Sequence, residues 1–355
     1  MKKALKVLGI IVIALVLVAV VYVAYMWFGY SRIEDNVVLT VDEGANNECV
    51  KTGEEYTIMT HNIGFGAYTQ DFTFFMDGGK ESRARSKESV INCVNKAADT
   101  MLSYDTDFAF IQEVDFDSTR SRHVDEREIL DNRFENYSNV EAINYHSNFI
   151  MYPIFKPHGI ANSCISTYSK FDITSALRRK LPISESFSKL IDLDRCYSVS
   201  RIPVENGREL VLFNVHLSAY GGNDEVRSGQ MSMLFDDMKK EHEAGNYCIC
   251  GGDFNHDFVG DSVEVLNENA ERSGWTMKFP QELVPEGFTI QKDYSVGEEL
   301  PTCRDCDIPY QEGSFVVIVD GFLTSDNVEM TYLENVQEDF EYSDHNPVLM
   351  RFKLK

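Results

Sequence analysis

Apolar positions are distributed along the chain in two ways. Residues 7–30 form one unbroken run without a charge. At about 1.5 Å per residue, a helix over that run crosses a hydrocarbon core of about 30 Å with some tilt. Beyond residue 55 the apolar residues come instead in short runs of strand character, at 56–63, 107–114, 164–173, 196–204, 209–217, 246–254, 315–325 and 347–355. Helical spacing intervenes twice, over 83–104 and 225–245. Val90, Val94, Ala97 and Met101 share one face of the first, and Met231, Leu234 and Met238 one face of the second. There is no internal repeat and no low-complexity segment. Two sheets packed face to face with helices outside would bury every one of these runs.

The first run reads as a membrane anchor. Lys2, Lys3 and Lys6 precede it, and positive flanks stay in the cytoplasm, which sends residues 31–355 outward. A cleaved signal peptide is the competing reading. It would have a shorter apolar region and a small-x-small cleavage site, whereas this run ends in Tyr25, Met26, Trp27 and Phe28, which suit an outer interface. The expected organisation is a cytoplasmic segment 1–6, an anchor 7–30, a polar stalk 31–55 and one catalytic domain 56–355, placed at the plasma membrane as a monomer. All 57 acidic residues and 30 of the 33 basic ones follow the anchor, so the outer part carries 30 − 57 = −27. That charge keeps a protein soluble and disfavours non-specific capture of polyanions, but a bound divalent cation can reverse the field locally. Eight cysteines are too few for a disulfide scaffold. Cys248 and Cys250 read as buried thiols. The lone Cys303-x-x-Cys306 reads as a loop disulfide rather than a zinc site.

Polar residues able to bind metal or move protons recur at strand ends: Asn62, Glu113, His216, Asp253 with Asn255, Asp320, and Asp344-His345 just before the last strand. Taken singly, Asn62 reads as a turn cap, Glu113 as a surface residue and His216 as a satisfied core histidine. Asp320 is harder to dismiss, because a carboxylate inside the run VVIVDGFL needs a partner. The alternation of Asp253 and Asn255 on an extended segment aims both to one side, and the paired glycines before them allow close backbone approach.

The ordered set THNIGF, IQEVD, NVHLS, GGDFNHD, IVDGFL and SDHNPV spans residues 60–348. In that order the chain resembles the endonuclease/exonuclease/phosphatase superfamily, which includes deoxyribonuclease I-like nucleases, apurinic-site endonucleases, neutral sphingomyelinases and inositol-polyphosphate 5-phosphatases. The resemblance implies a four-layered α/β sandwich, two packed mixed β-sheets flanked by helices. It also implies hydrolysis of a phosphate ester by in-line attack of an activated water, with Mg²⁺ (or Mn²⁺) held by Glu113, Asn62 and Asp344. Asp253 would orient and deprotonate the water, Asn255 donate to the phosphate and His216 contact a non-bridging oxygen. His345 would be held by Asp320, and either His345 or Asp253 can be the base.

The substrate is less legible. Arg120 and Arg122 follow Glu113 closely enough to clamp a phosphate, with Asn162 as a further substrate contact, while Arg178-Arg179-Lys180 reads as an exposed basic turn. Aromatic loops at 65–79 and 145–159 suit either a lipid-contacting rim or packing around the site. Lipid head groups, inositol phosphates and nucleic acid all remain candidate substrates. An extracellular endonuclease and an inactive binding module are the alternatives. The latter requires a broken site, and every expected position is filled.

Overall fold

The computed structural model describes residues 2–44, 49–186, 189, 194–218, 224–267, 275–296 and 300–355. It begins with helix α1 (Lys2–Gly29), followed by β1 (Val37–Val38), β2 (Val41–Asp42), β3 (Glu55–Asn62), α2 (Lys87–Ser103), β4 (Phe108–Asp115), α3 (Glu126–Arg133), β5 (Ser138–His146), β6 (Asn162–Ser169), β7 (Ser175–Lys180) and β8 (Cys196–Pro203). Then come β9 (Glu209–His216), α4 (Asp224–Glu243), β10 (Tyr247–Asp253), α5 (Ser262–Leu266), β11 (Phe288–Ile290), β12 (Cys303–Arg304), β13 (Val316–Val317), β14 (Asp320–Ser325), β15 (Val328–Asn335) and β16 (Val348–Leu354).

The strands form two seven-stranded mixed sheets, ordered β1-β7-β8-β9-β10-β14-β11 and β15-β16-β3-β4-β6-β5-β2, with β12 and β13 as a separate pair. The neighbours β9–β10 and β3–β4 run parallel; the other neighbours within the sheets are antiparallel. The central strands of both sheets, such as β4, β9 and β10, are buried on both faces, which is why they read as near-continuous apolar runs. On β9, Leu210 and Leu212 face the other sheet, while Val211, Phe213 and Val215 pack with Met231, Leu234 and Met238 of α4. On the second sheet, Ile58, Phe108, Phe110 and Phe352 face inward. Met59, Ala109 and Ile111 pack outward with Val90, Val94, Ala97 and Met101 of α2. Helix, sheet, sheet and helix make the four layers of the expected sandwich. Ser86 caps α2, accepting from the Ser89 N–H at 3.1 Å.

The stretch expected as a stalk is part of the sheets. β1 pairs with β7 on one sheet and β2 with β5 on the other; residues 45–48 lie outside the described residues. The expected basic turn at 178–180 is the end of β7, and Arg178 is fully buried, donating to the carbonyls of Ile143 (2.8 Å) and Asp194 (2.7 Å). Elements β5, β7, β15 and α3 escape the hydrophobic pattern for local reasons. β5 buries Ser138, Asn139 and Asn144, β15 is an edge strand, and α3 starts from the Asp125 cap with little apolar residue content. The aromatic loop 65–79 is largely core, with Phe65, Phe72 and Phe74 buried.

α1 is one helix, long and apolar enough to cross a membrane, with its side chains exposed along nearly its whole length. Its carboxyl-terminal end touches the domain. The Tyr22 hydroxyl donates to the Phe149 carbonyl (3.2 Å) and accepts from the Met151 N–H (3.1 Å), and the Tyr25 hydroxyl accepts from the Phe149 N–H (3.1 Å).

Candidate active site

Side chains alternate along a strand, so each inward-facing series can be followed to its end. On β3 it runs Tyr56, Ile58, Thr60, Asn62; on β4 Phe108, Phe110, Gln112; on β9 Leu210, Leu212, Asn214, His216; on β10 Tyr247, Ile249, Gly251, Asp253. Each begins in the core between the sheets and ends polar at the same end of the sandwich. Gln112 bridges the gap there, donating to Asn214 Oδ1 at 2.8 Å, while Asn214 donates to the Ser166 carbonyl at 2.9 Å. Beyond this polar layer lies a cavity of about 170 Å³ lined by Asn62, Glu113, Arg120, His216, Asp253, Asn255, Asp344 and His345.

Antiparallel neighbours deliver the remaining groups. The expected strand 315–325 is broken into β13 and β14, and Asp320 opens β14 directly opposite Asp253. β16 runs antiparallel to β3, so His345, just before β16, arrives beside Asn62. His345 Nδ1 donates to Asp320 Oδ2 at 2.8 Å. Burial opposes charge on His345, but Asp320, with Cys303 and Asp253 beside it, overrides that and holds the imidazole well above its ordinary pKa. Burial, reinforced by Asp320 and opposed by His345, pushes Asp253 up to about 7. One Asp253 oxygen, Oδ2, lies 3.0 Å from Asn62 Nδ2, 3.3 Å from His216 Nε2 and 3.8 Å from His345 Nε2. His216 is buried and held neutral, its pKa far below the usual range through burial and the nearby Arg195.

Two local distortions shape the site. β4 carries a bulge between Ile111 and Val114, and Glu113 sits in it with φ +56°, so its carboxylate turns into the cavity. Asn255 lies beyond the end of β10 with φ +52°, in a left-handed turn rather than on the extended segment expected; it reaches the cavity while donating to the Leu217 carbonyl at 2.8 Å. The paired glycines do permit close approach: a Cβ on Gly252, φ +141°, would lie 2.0 Å from the Val215 carbonyl oxygen.

The donor chemistry fits a hard cation. Glu113 presents a partly exposed carboxylate, and Asp344 is half-buried, with Ser343 Oγ at 3.3 Å and Cys306 Sγ at 3.8 Å but no salt bridge to a basic side chain among the described residues. Burial, with the Glu113 charge adding to it against His345, raises the Asp344 pKa. A divalent ion between these two carboxylates would neutralise both. Asn62 turns its amide N–H groups toward Glu113 (3.4 Å) and Asp253, while its Oδ1 accepts from the Gly64 N–H at 3.0 Å. Its carboxamide must turn before it can ligate. Asp253, Asp320 and His345 also lie close enough together to hold an ion, but a charged imidazole bonded to Asp320 has no lone pair to give.

The expected substrate contacts divide. Arg120 lines the cavity, clamped bidentately by Asp115 (2.9 and 2.8 Å), 3.5 Å from Glu113 and stacked 4.0 Å over the Phe65 ring. Arg122 points away, donating to the Ala84 and Arg85 carbonyls at 2.7 and 3.3 Å. Asn162 lies outside the cavity, its amide 3.4 Å from the Asp117 carbonyl. Cys303 and Cys306 are free thiols rather than a disulfide. Sequence reading missed Arg195, which lines the cavity with Nη1 3.5 Å from the His216 carbonyl. It precedes β8, whose amino end lies beside the carboxyl end of antiparallel β9. Attention to carboxyl ends alone passes over it. His158 and Trp275 of the cavity wall carried no motif.

Solved structures with the same fold include an endonuclease/exonuclease/phosphatase from Beutenbergia cavernae DSM 12333, with 14% identity, 84% of this chain and 72% of that chain covered, and a TM-score of 0.58. Another, from Bacteroides vulgatus, has 15% identity, 85% and 100% coverage and a TM-score of 0.54. A third is ANGEL2, a 2′,3′-cyclic phosphatase in complex with adenosine-2′,3′-vanadate, with 15% identity, 90% and 99% coverage and a TM-score of 0.54. A search of curated proteins finds no match. The profile of the endonuclease/exonuclease/phosphatase family matches residues 59–328. With that match over most of its length and the fold it shares with these structures, the chain belongs to the endonuclease/exonuclease/phosphatase family.

Proposed function

We propose that this protein is a divalent-metal-dependent phosphoesterase, anchored by α1 with its catalytic domain outside the cell. The observation that carries the chemistry is the convergence on Asp253 Oδ2 of Asn62, His216 and His345, from segments far apart in the chain, within 3.8 Å. Asp253 is the water-orienting base: its raised pKa lets it hold and accept a proton near neutrality. Charged His345, locked by Asp320, donates to a non-bridging phosphate oxygen beside it. Neutral His216 and Asn255 complete the polar wall, and Arg120 supplies fixed positive charge on the side of Glu113. Glu113 and Asp344, joined by a turned Asn62, would hold Mg²⁺ or Mn²⁺, which supplies neutralisation of charge building on the phosphate. The reading as an inactive binding module is disfavoured because these groups line one cavity.

The test is a panel assay of the full-length protein with Mg²⁺ or Mn²⁺ on a soluble aryl phosphodiester, a monoester, DNA, RNA, inositol phosphates and phospholipid vesicles, with Asp253→Asn as the control. Metal-dependent hydrolysis of at least one ester, lost in the variant, supports the proposal. Equal rates with and without the substitution on every ester sink it.

A further inference from the structure

One loop of the domain is built unlike the rest of its surface. Met151, Tyr152, Ile154 and Phe155 are 42%, 64%, 76% and 98% exposed, four large apolar side chains within five residues. Exposed apolar clusters of this kind mark a partner surface. Two further observations say which partner. First, the loop is tied to α1 through Tyr22 and Tyr25. About 20 helical residues cross the hydrocarbon core, so counting from Lys6 brings the chain out near Tyr25 and Met26, where Tyr side chains favour the interface. The loop bonded to these tyrosines therefore lies at the level of the lipid head groups. Second, Phe155 and Lys156 share a surface hollow with Arg83, Arg122 and the Arg85–Glu81 ion pair. Arg83 and Arg122 donate to carbonyls, of Pro157 at 2.5 Å and of Ala84 and Arg85, and none of Arg83, Arg122 and Lys156 pairs with a carboxylate among the described residues. In an outer part of charge −27 this excess of positive charge beside a bare Phe is the pairing that lipid phosphates and acyl chains together would satisfy.

The same loop reaches the catalytic cavity. The Tyr152 ring packs 5.6 Å from Phe75, Phe75 packs 5.8 Å from His158, and His158 and Met76 line the cavity. We infer that residues 151–155 dock into the outer leaflet, with Arg83, Arg122 and Lys156 on its phosphates, and that the ester hydrolysed in the adjoining cavity belongs to a phospholipid. This rests on the phosphoesterase reading and on the outward anchor, and it names their substrate class. Arg122, which turns away from the cavity, has its place in this surface.

The experiment uses the full chain in vesicles of equal parts zwitterionic and anionic phospholipid. In a Trp27→Phe background, Phe155→Trp places an indole at the loop tip, and quenching by bromine-labelled acyl chains is compared with the background protein, which keeps Trp275. Separately, the double variant Ile154→Ser/Phe155→Ser is assayed on the vesicle phospholipid and on a soluble aryl phosphodiester. Docking predicts quenching well above the background. It also predicts a loss of about tenfold or more in phospholipid hydrolysis, with the soluble ester unchanged. Quenching no greater than the background, or equal phospholipid turnover in the double variant and the parent, overturns the inference. A parent that cleaves the soluble ester but no phospholipid also overturns it. A parent that cleaves neither ester while the indole is quenched refutes the phosphoesterase reading and leaves the loop as a membrane contact alone.

Discussion

His345 Nδ1 donates a 2.8 Å hydrogen bond to Asp320 Oδ2, and both residues are almost fully buried, 6% and 1% exposed. Each accounts for the other: the imidazole neutralises a carboxylate at the head of an apolar strand, and the carboxylate fixes the ring and favours its charge. Asp320→Asn is expected to lower kcat by about 10²–10⁴-fold, the range for losing acid–base assistance, and His345→Ala by a comparable factor. Because the two act as one unit, the double variant should cost little more than either single. Steady-state kinetics on all three, with circular dichroism as a fold control, decide the matter; losses that multiply would separate the residues.

The cation is expected to depend chiefly on Glu113, whose carboxylate the β4 bulge turns into the cavity. Glu113→Gln removes one of two hard anionic donors and should raise the Mg²⁺ or Mn²⁺ concentration for half-maximal rate by about tenfold or more. A second readout needs no turnover: metal-induced thermal stabilisation of the parent should shrink in the variant. Identical metal titrations by both measurements would remove Glu113 from the role.

Gly252 tests the backbone geometry beneath Asp253. With φ +141° and the Val215 carbonyl 2.0 Å from any added Cβ, Gly252→Ala should destabilise the domain by about 3 kcal/mol. Gly207→Ala serves as the comparison. At φ +81° with nothing within 4 Å, it should cost only about 1 kcal/mol, for left-handed strain. Thermal unfolding of the detergent-solubilised chain reads both, and equal shifts would mean that β9 and β10 give way easily at this point.

An outward domain is expected because the three lysines sit at the amino end of α1, ahead of its uncharged run, and no acidic residue does. Protease added to intact cells should digest the domain and spare an N-terminal tag. Full protection of the domain would place it inside and remove the outer leaflet as its partner.

The sequence by itself determined the alternation that makes these strands, the helical faces of α2 and α4, and the residue types available for chemistry. Apolar burial acts position by position, and a period of two or of 3.6 is written in the local order of residues. The ordered motifs also carried the family. What the sequence could not order was proximity. Asp320 meets Asp253 through antiparallel register, and Arg195 reaches His216 because β8 runs against β9. Glu113 turns inward on one extra residue in β4, and Asn255 adopts a left-handed turn. Arg122, two residues from Arg120, faces the opposite way to carbonyls that no local pattern announces. The supposed stalk closes an edge of each sheet because partners more than 90 residues away offer unpaired backbone. Register, bulges and edge pairing are settled by contacts between distant segments, where the free energy of packing outweighs any local preference.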